Sequence, residues 1–170
     1  MDSIKETVCA WLDAHAIPYR RWDHAPAASM ADCAWVSERV GAMVCKNYFL
    51  TTRSGASPRV CTVRPNARLR TSDLSKQAGT SRLAFGSDEE MFRLLRARPG
   101  SVSPLGLIFD EAHEARLLMD TALRDEPLLA FHPCDNTATL VLTHEAFFEK
   151  FLPAAGIGCA FVEIRDFLEA

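Results

Sequence analysis

The chain has 170 residues, of which 48% are hydrophobic and 24% charged, with a formal net charge of −3. That is the length of one domain, able to bury about two thirds of its unfolded surface, and residues 1–170 are read as a single unit. The balance excludes a disordered or fibrous chain, and no apolar run reaches the roughly 18 residues of a membrane helix.

Ser3 or Asp2 can cap a first helix carrying Ile4, Val8, Trp11 and Leu12 at helical spacing, which Pro18 is expected to end. Tyr19–Asp23 reads as a strand and His24-Ala25-Pro26 as a turn. A second helix follows over Met30–Val40, with Gly41 as its stop. Val44–Thr52 and Arg59–Val63 read as two strands joined by a polar hairpin loop at Ser54-Gly55. Ser72–Ala78 is a short helix closed by Gly79, and Arg82–Phe85 a short strand. Ser87-Asp88-Glu89-Glu90 has the spacing of a capping box, and its helix is expected to run to Arg98 before Pro99-Gly100. Gly100–Phe109 is a loop feeding an apolar segment. Ala115–Leu118, Leu128–Phe131, Thr137–Thr143 and Cys159–Ile164 read as strands, with a helix over His144–Leu152. Interspersed short elements without a βαβ rhythm predict one α+β domain.

The six cysteines form no C-x-x-C pair, and most have apolar neighbours, as in Val8-Cys9-Ala10. Buried, reduced thiols fit this pattern and a cytoplasmic location. Met1–Arg20 lacks a signal-peptide core. Charge is uneven: residues 59–98 hold nine basic and four acidic side chains, while residues 110–170 hold four and twelve. With a pI of 5.9, general binding to DNA or to a membrane surface is not expected, although a local basic patch could hold one end of a nucleic acid.

The five histidines show no H-x-x-x-H or H-E-x-x-H spacing, so neither a metal nor another cofactor is expected. Cys45 adjoins Lys46, but strand alternation sends the two to opposite faces, which speaks against an activated thiolate. No nucleophile elbow, phosphate loop or dinucleotide fingerprint is present. Three segments stand out. Lys46-Asn47 interrupts an apolar strand, where a lysine either snorkels to the edge or meets an anion. Gly100-Ser101-Val102-Ser103-Pro104 can present backbone amides and carbonyls at short range, or serve as a simple connection. His132, Asp135 and Asn136 precede a buried strand, where a polar loop can build either a site or a turn.

Together and in this order, Cys45–Leu50 (CKNYFL), Pro99–Leu107 (PGSVSPLGL) and Phe131–Thr139 (FHPCDNTAT) resemble the YbaK/prolyl-tRNA-synthetase-associated editing domains, in particular the free-standing branch that deacylates alanyl-tRNA(Pro). The resemblance runs through essentially the whole chain. It implies a mixed, mainly antiparallel sheet or partial barrel surrounded by short helices. It also implies a hydrolase acting on the ester of mischarged alanyl-tRNA(Pro). A synthetase cannot exclude a smaller amino acid by size, and a second, smaller pocket removes the product.

By the same resemblance, Lys46 holds the phosphate at the tRNA terminus and Asn47 is the branch's neighbouring asparagine. Gly100 and Pro104 match a G-x-x-x-P loop whose backbone, through Ser101, Val102 and Ser103, orients substrate and water. His132 bounds the aminoacyl pocket, with Asn136 on the same loop. The implied partners are the acceptor end of tRNA(Pro) and prolyl-tRNA synthetase. Pro26–Met30 is small and polar where related chains carry bulkier residues, which leaves open a preference for cysteinyl-tRNA(Pro) or another small residue. A non-catalytic tRNA- or synthetase-binding module is the alternative from a different class.

Overall fold

The computed structural model describes residues 2–27 and 29–164, with Met30 described at its backbone only. Helix α1 (Ile4–Ala14) begins where the Ser3 hydroxyl accepts from the Glu6 amide, and it buries Val8, Cys9 and Leu12. It ends before Pro18: the chain turns at Ala16, whose φ is 53°, and the Ile17 amide bonds back to the Leu12 carbonyl. Pro18 therefore follows a stop that the backbone has already made. Strand β1 (Arg20–Asp23) leads to α2 (Met30–Val40), whose start is a reciprocal box between Ser29 and Asp32 and whose end is Gly41 at φ 68°. Ala28, in the small segment before α2, lies outside the described residues.

The expected strand over Val44–Thr52 is divided. Strand β2 (Met43–Val44) pairs in parallel with β7 (Leu128–Phe131), and the Cys45 amide then donates to the Ala130 carbonyl at 3.1 Å. One residue later β3 (Lys46–Thr52) enters a different sheet, pairing antiparallel with β4 (Arg59–Val63). Buried Cys45 is thus the seam between sheets, and Lys46 is the first residue past it. Helix α3 (Thr71–Ala78) and β5 (Leu83–Phe85) follow.

Helix α4 (Asp88–Leu95) is capped by Ser87, but the Glu90 carboxylate turns to Arg93 at 3.0 Å. The helix stops at Arg96, in the left-handed region at φ 55°, two residues short of the expected Arg98. A 3-10 segment (Pro104–Phe109), β6 (Arg116–Asp120) and β8 (Ala138–Thr143) complete the middle of the chain. A wide π-type helix (Glu145–Phe151) runs into α5 (Leu152–Ala155), and β9 (Cys159–Val162) is the last strand.

Two open sheets result, ordered β1-β8-β7-β2 and β5-β3-β4-β6-β9. Antiparallel pairing joins β1 to β8, β7 to β8, β3 to β4 and β3 to β5. The β2–β7, β4–β6 and β6–β9 pairs are parallel. Neither sheet closes, so the architecture is a mixed α+β layer structure with helices around it. The main core gathers Phe131, Phe147, Phe151, Leu117, Met119 and Leu140. A second lies between α3 and the other face of the five-stranded sheet (Leu50, Cys61, Val63, Leu74, Leu118), and a third under α2 (Val36, Val40, Val44, Val141). No helix among the described residues is long and apolar enough to cross a membrane.

Candidate active site

The crossing from β2 to β3 fixes Lys46 and Asn47. Val44 stands beside Ala130, so Lys46 and His132 each follow this paired position by two residues. Asn47 faces Thr62 across the ladder and accepts its hydroxyl proton at 2.6 Å, while its amide nitrogen donates to the Cys45 carbonyl at 3.3 Å. Both ends of the amide are thereby oriented. Lys46, on the opposite face, is half-buried, with Nζ 5.2 Å from the centroid of the Tyr48 ring. No carboxylate among the described residues lies within ion-pair distance of it.

The second segment is a buried loop held by its own side chains. Gly100 sits at φ 88°, a conformation that favours glycine. The Ser101 hydroxyl accepts from the Arg98 amide at 3.0 Å and donates to the Arg98 carbonyl at 2.9 Å. The Ser103 hydroxyl accepts from the Leu105 amide at 3.1 Å. Both hydroxyl oxygens therefore accept from amides of the loop or its flank. By contrast, the amides of Val102 and Ser103 meet no acceptor among the described residues, although both residues are buried. Buried amides without a partner are rare; Ser103 is fully enclosed, whereas Val102 keeps 8% exposure, so its amide is the donor a ligand could reach. At Gly106 a Cβ would stand 2.8 Å from the Leu95 carbonyl and 2.9 Å from Cys134 Sγ, so glycine lets this segment press against the third loop.

On that third loop His132 is 7% exposed. Its Nδ1 lies 2.9 Å from the Ala138 carbonyl; since a carbonyl only accepts, Nδ1 carries the proton and Nε2 the lone pair. Burial pushes the His132 pKa down, so the ring is neutral near pH 7. Thr139 extends the arrangement. Its oxygen lies 3.4 Å from His132 Nδ1, and its hydroxyl donates to His24 Nε2 at 2.8 Å; His24 Nδ1 in turn donates to the Ala25 carbonyl at 2.7 Å. The two carbonyl acceptors place a proton on Nδ1 of both rings.

Asp135 Oδ1 accepts from the Thr137 amide (2.8 Å) and hydroxyl (2.6 Å), closing the turn. The Asn136 carbonyl accepts from the Ala27 amide at 2.9 Å, which brings the segment before α2 against the loop.

The structure thus joins Gly100–Pro104 to His132–Asn136. Ser101 and Asn136 line one cavity of about 420 Å³, with Phe92, Arg96 and Arg98 on its rim. Lys46, Asn47 and His132 are not part of that lining and are placed through the seam at Cys45 and Ala130. A separate cavity of about 490 Å³ over β6 and β9 contains none of the expected site residues. His24 and Thr139 escape sequence reasoning because no spacing rule links position 24 to position 132; only the β1–β8 pairing does.

Burial pushes the thiols of Cys45, Cys61 and Cys134 up to about 12, which removes Cys45 as a nucleophile. Among the described residues no three His, Cys, Asp or Glu side chains are grouped to hold a metal ion.

An open two-sheet fold with a lysine at the sheet crossing and two apposed loops is the frame of an aminoacyl-tRNA editing domain. Residues 24–149 match that family, and the chain belongs to it. It is similar to the prolyl-tRNA editing protein ProX of Acetoanaerobium sticklandii, with 29% identity over 152 residues, 89% of this chain and 92% of that protein. It also resembles prolyl-tRNA synthetase associated domain-containing protein 1 of Mus musculus, 30% identical over 115 residues, 65% and 67% of the respective chains. Among solved structures, a candidate trans-editing enzyme for prolyl tRNA synthetase matches with a TM-score of 0.73, covering 98% of this chain and 99% of that one. At 15% identity that likeness shows the fold alone.

Proposed function

We propose that the protein is a trans-editing hydrolase that cleaves the ester joining alanine to the terminal ribose of mischarged tRNA(Pro). The observation that carries this reading is the unpartnered amide at Val102, on a loop packed against the loop of a neutral His132 whose Nδ1 is held by the Ala138 carbonyl. The length of the likeness to ProX supports it.

In the reaction a water oxygen bonds to the ester carbonyl carbon and the carbon–oxygen bond to the ribose breaks. The proton released by water ends on the ribose oxygen, giving free alanine and intact tRNA. Lys46 pairs with the phosphate of the terminal nucleotide, and Asn47 steadies the strand end that carries it. Gly100 opens the turn that presents the Val102 amide to the negative charge developing on the carbonyl oxygen. Pro104 fixes the far end of the turn, and the hydroxyls of Ser101 and Ser103 hold its shape. His132 closes the aminoacyl pocket, its Nε2 accepting a hydrogen bond from water or from the substrate amine, with Asn136 beside Gly100. Ester hydrolysis can proceed by positioning and oxyanion stabilisation without a protein nucleophile.

Purified protein incubated with Ala-tRNA(Pro) and Cys-tRNA(Pro) tests the assignment. Faster release of alanine supports it. A preference for the cysteinyl ester assigns the chain to that substrate, and binding without release of either makes it a tRNA-binding module.

A further inference from the structure

Phe85 is 69% exposed, the highest value among the large hydrophobic side chains of the described residues. Its backbone is held firmly. Phe85 pairs with Leu50 on β3, and the next residue, Gly86, donates its amide to the Phe49 carbonyl at 3.0 Å. A Cβ at Gly86 would collide with the Phe49 ring, so the close approach requires glycine. The exposed ring is therefore displayed by a pinned strand end, where a polar side chain would ordinarily stand.

What surrounds it is ordered along one face. Lys46, Tyr48 and Leu50 alternate onto the same side of β3, and Phe85, opposite Leu50, shares that side. The rings of Tyr48 and Phe85 lie 5.9 Å apart at 40°, and Lys46 Nζ is 5.2 Å from the Tyr48 ring. Beyond Phe85, Arg53 and Arg82 line the same cavity of about 780 Å³. Neither arginine has an ion-pair partner among the described residues. The one carboxylate on that lining, Glu90, is held by Arg93. A lysine and two aromatic rings on one face, with two unpaired arginines around the sheet edge next to Phe85, is the chemistry that binds a single nucleic-acid strand: cations for phosphates, ring faces for bases.

We propose that Tyr48 and Phe85 form a stacking platform for the unpaired nucleotides just upstream of the terminal adenosine, with Arg53 and Arg82 meeting the phosphates further along. The inference rests on the editing reading only in taking Lys46 as the contact for the terminal phosphate. Stacking tolerates any base, so the platform adds affinity for the acceptor end and does not select the amino acid.

The test is binding of an uncharged acceptor-stem minihelix, with and without its unpaired 3′ end, followed by fluorescence anisotropy for wild type, Phe85→Ala, Phe85→Leu and Phe85→Trp. Phe85→Ala should weaken binding of the intact minihelix about tenfold, the effect of losing one stacked base. Phe85→Leu should be as weak, since it keeps apolar bulk without a ring face, and Phe85→Trp should bind like wild type. The variants should differ little on the truncated minihelix. Wild-type affinity in Phe85→Ala or Phe85→Leu, or an equal loss on both minihelices, would overturn the proposal; retention by Phe85→Leu would mark an apolar protein-docking surface instead. Because the RNA carries no amino acid, failure of the hydrolase assignment would leave this readout standing.

Discussion

Two polar arrangements lie along the β1–β8 pair and differ in what surrounds them. The chain from His132 through Thr139 to His24 is largely buried: Thr139 is fully buried, His132 is 7% exposed and His24 is partly exposed. The cluster of Arg21 with Glu6 and Asp23 has hydrogen bonds as short as 2.6 Å, and its carboxylate side chains are 47% and 53% exposed. Distances alone would rank the second as the stronger. Burial reverses the order, because an exposed ion pair exchanges water contacts for protein contacts at little net gain, whereas a buried polar group that loses its partner keeps the whole desolvation cost. Lys46 is a third case, a half-buried charge with no protein counter-ion among the described residues, and its removal should cost function and not fold.

The largest expected effect is therefore on catalysis. Lys46→Ala should lower deacylation of Ala-tRNA(Pro) between about tenfold and a hundredfold, the worth of one charge-assisted contact to phosphate, with an unchanged melting temperature. Next comes the buried chain. Thr139→Val keeps the shape but leaves His24 Nε2 without its donor, and thermal unfolding should show a loss of about 1–3 kcal/mol. Activity should fall with it, since Thr139 is the hydrogen-bond link between the two rings, whose centroids lie 6.0 Å apart.

Acid should weaken the buried arrangement before the exposed one. The folded His132 pKa lies below its ordinary value of 6.5, so as pH falls through that region the unfolded chain takes up protons first and stability declines. Asp23, whose carboxyl is held at about 2 chiefly by hydrogen bonding from Arg21, loses its contribution only between about pH 4 and 2. Melting temperatures from pH 7 to 5 should therefore fall, and fall less in His132→Gln. The smallest effect is expected for Glu6→Ala, which should leave the melting temperature close to wild type despite removing two short contacts to Arg21.

Much of the fold is written in local signals. Ser3, Ser29, Gly41, Ser87 and Gly79 begin and end helices through their own hydroxyls or left-handed backbone. What escaped local reading was set by distant partners. Cys45 divides the strand expected over Val44–Thr52 because Ala130, 85 positions away, takes its amide. Helix α4 ends at Arg96, where Pro99 has no amide for the Leu95 carbonyl and that carbonyl lies against Gly106; Pro99 was legible as a stop, the close approach of Gly106 was not. The three site segments were legible as polar or glycine-bearing interruptions of apolar strands. Their mutual placement was not, nor was the part played by His24 and Thr139, which depends on the register of β1 on β8.

The proposed editing activity requires a pocket, closed by His132 and the Gly100–Pro104 loop, that removes the wrong amino acid and spares the right one. Single-turnover hydrolysis of Ala-tRNA(Pro) and Pro-tRNA(Pro), at equal concentration and saturating protein, tests it directly. Alanine should be released and proline retained, because rejecting added bulk is easier than rejecting a missing methylene. Equal release of both amino acids would overturn the editing assignment, since such an activity would destroy the correctly charged tRNA.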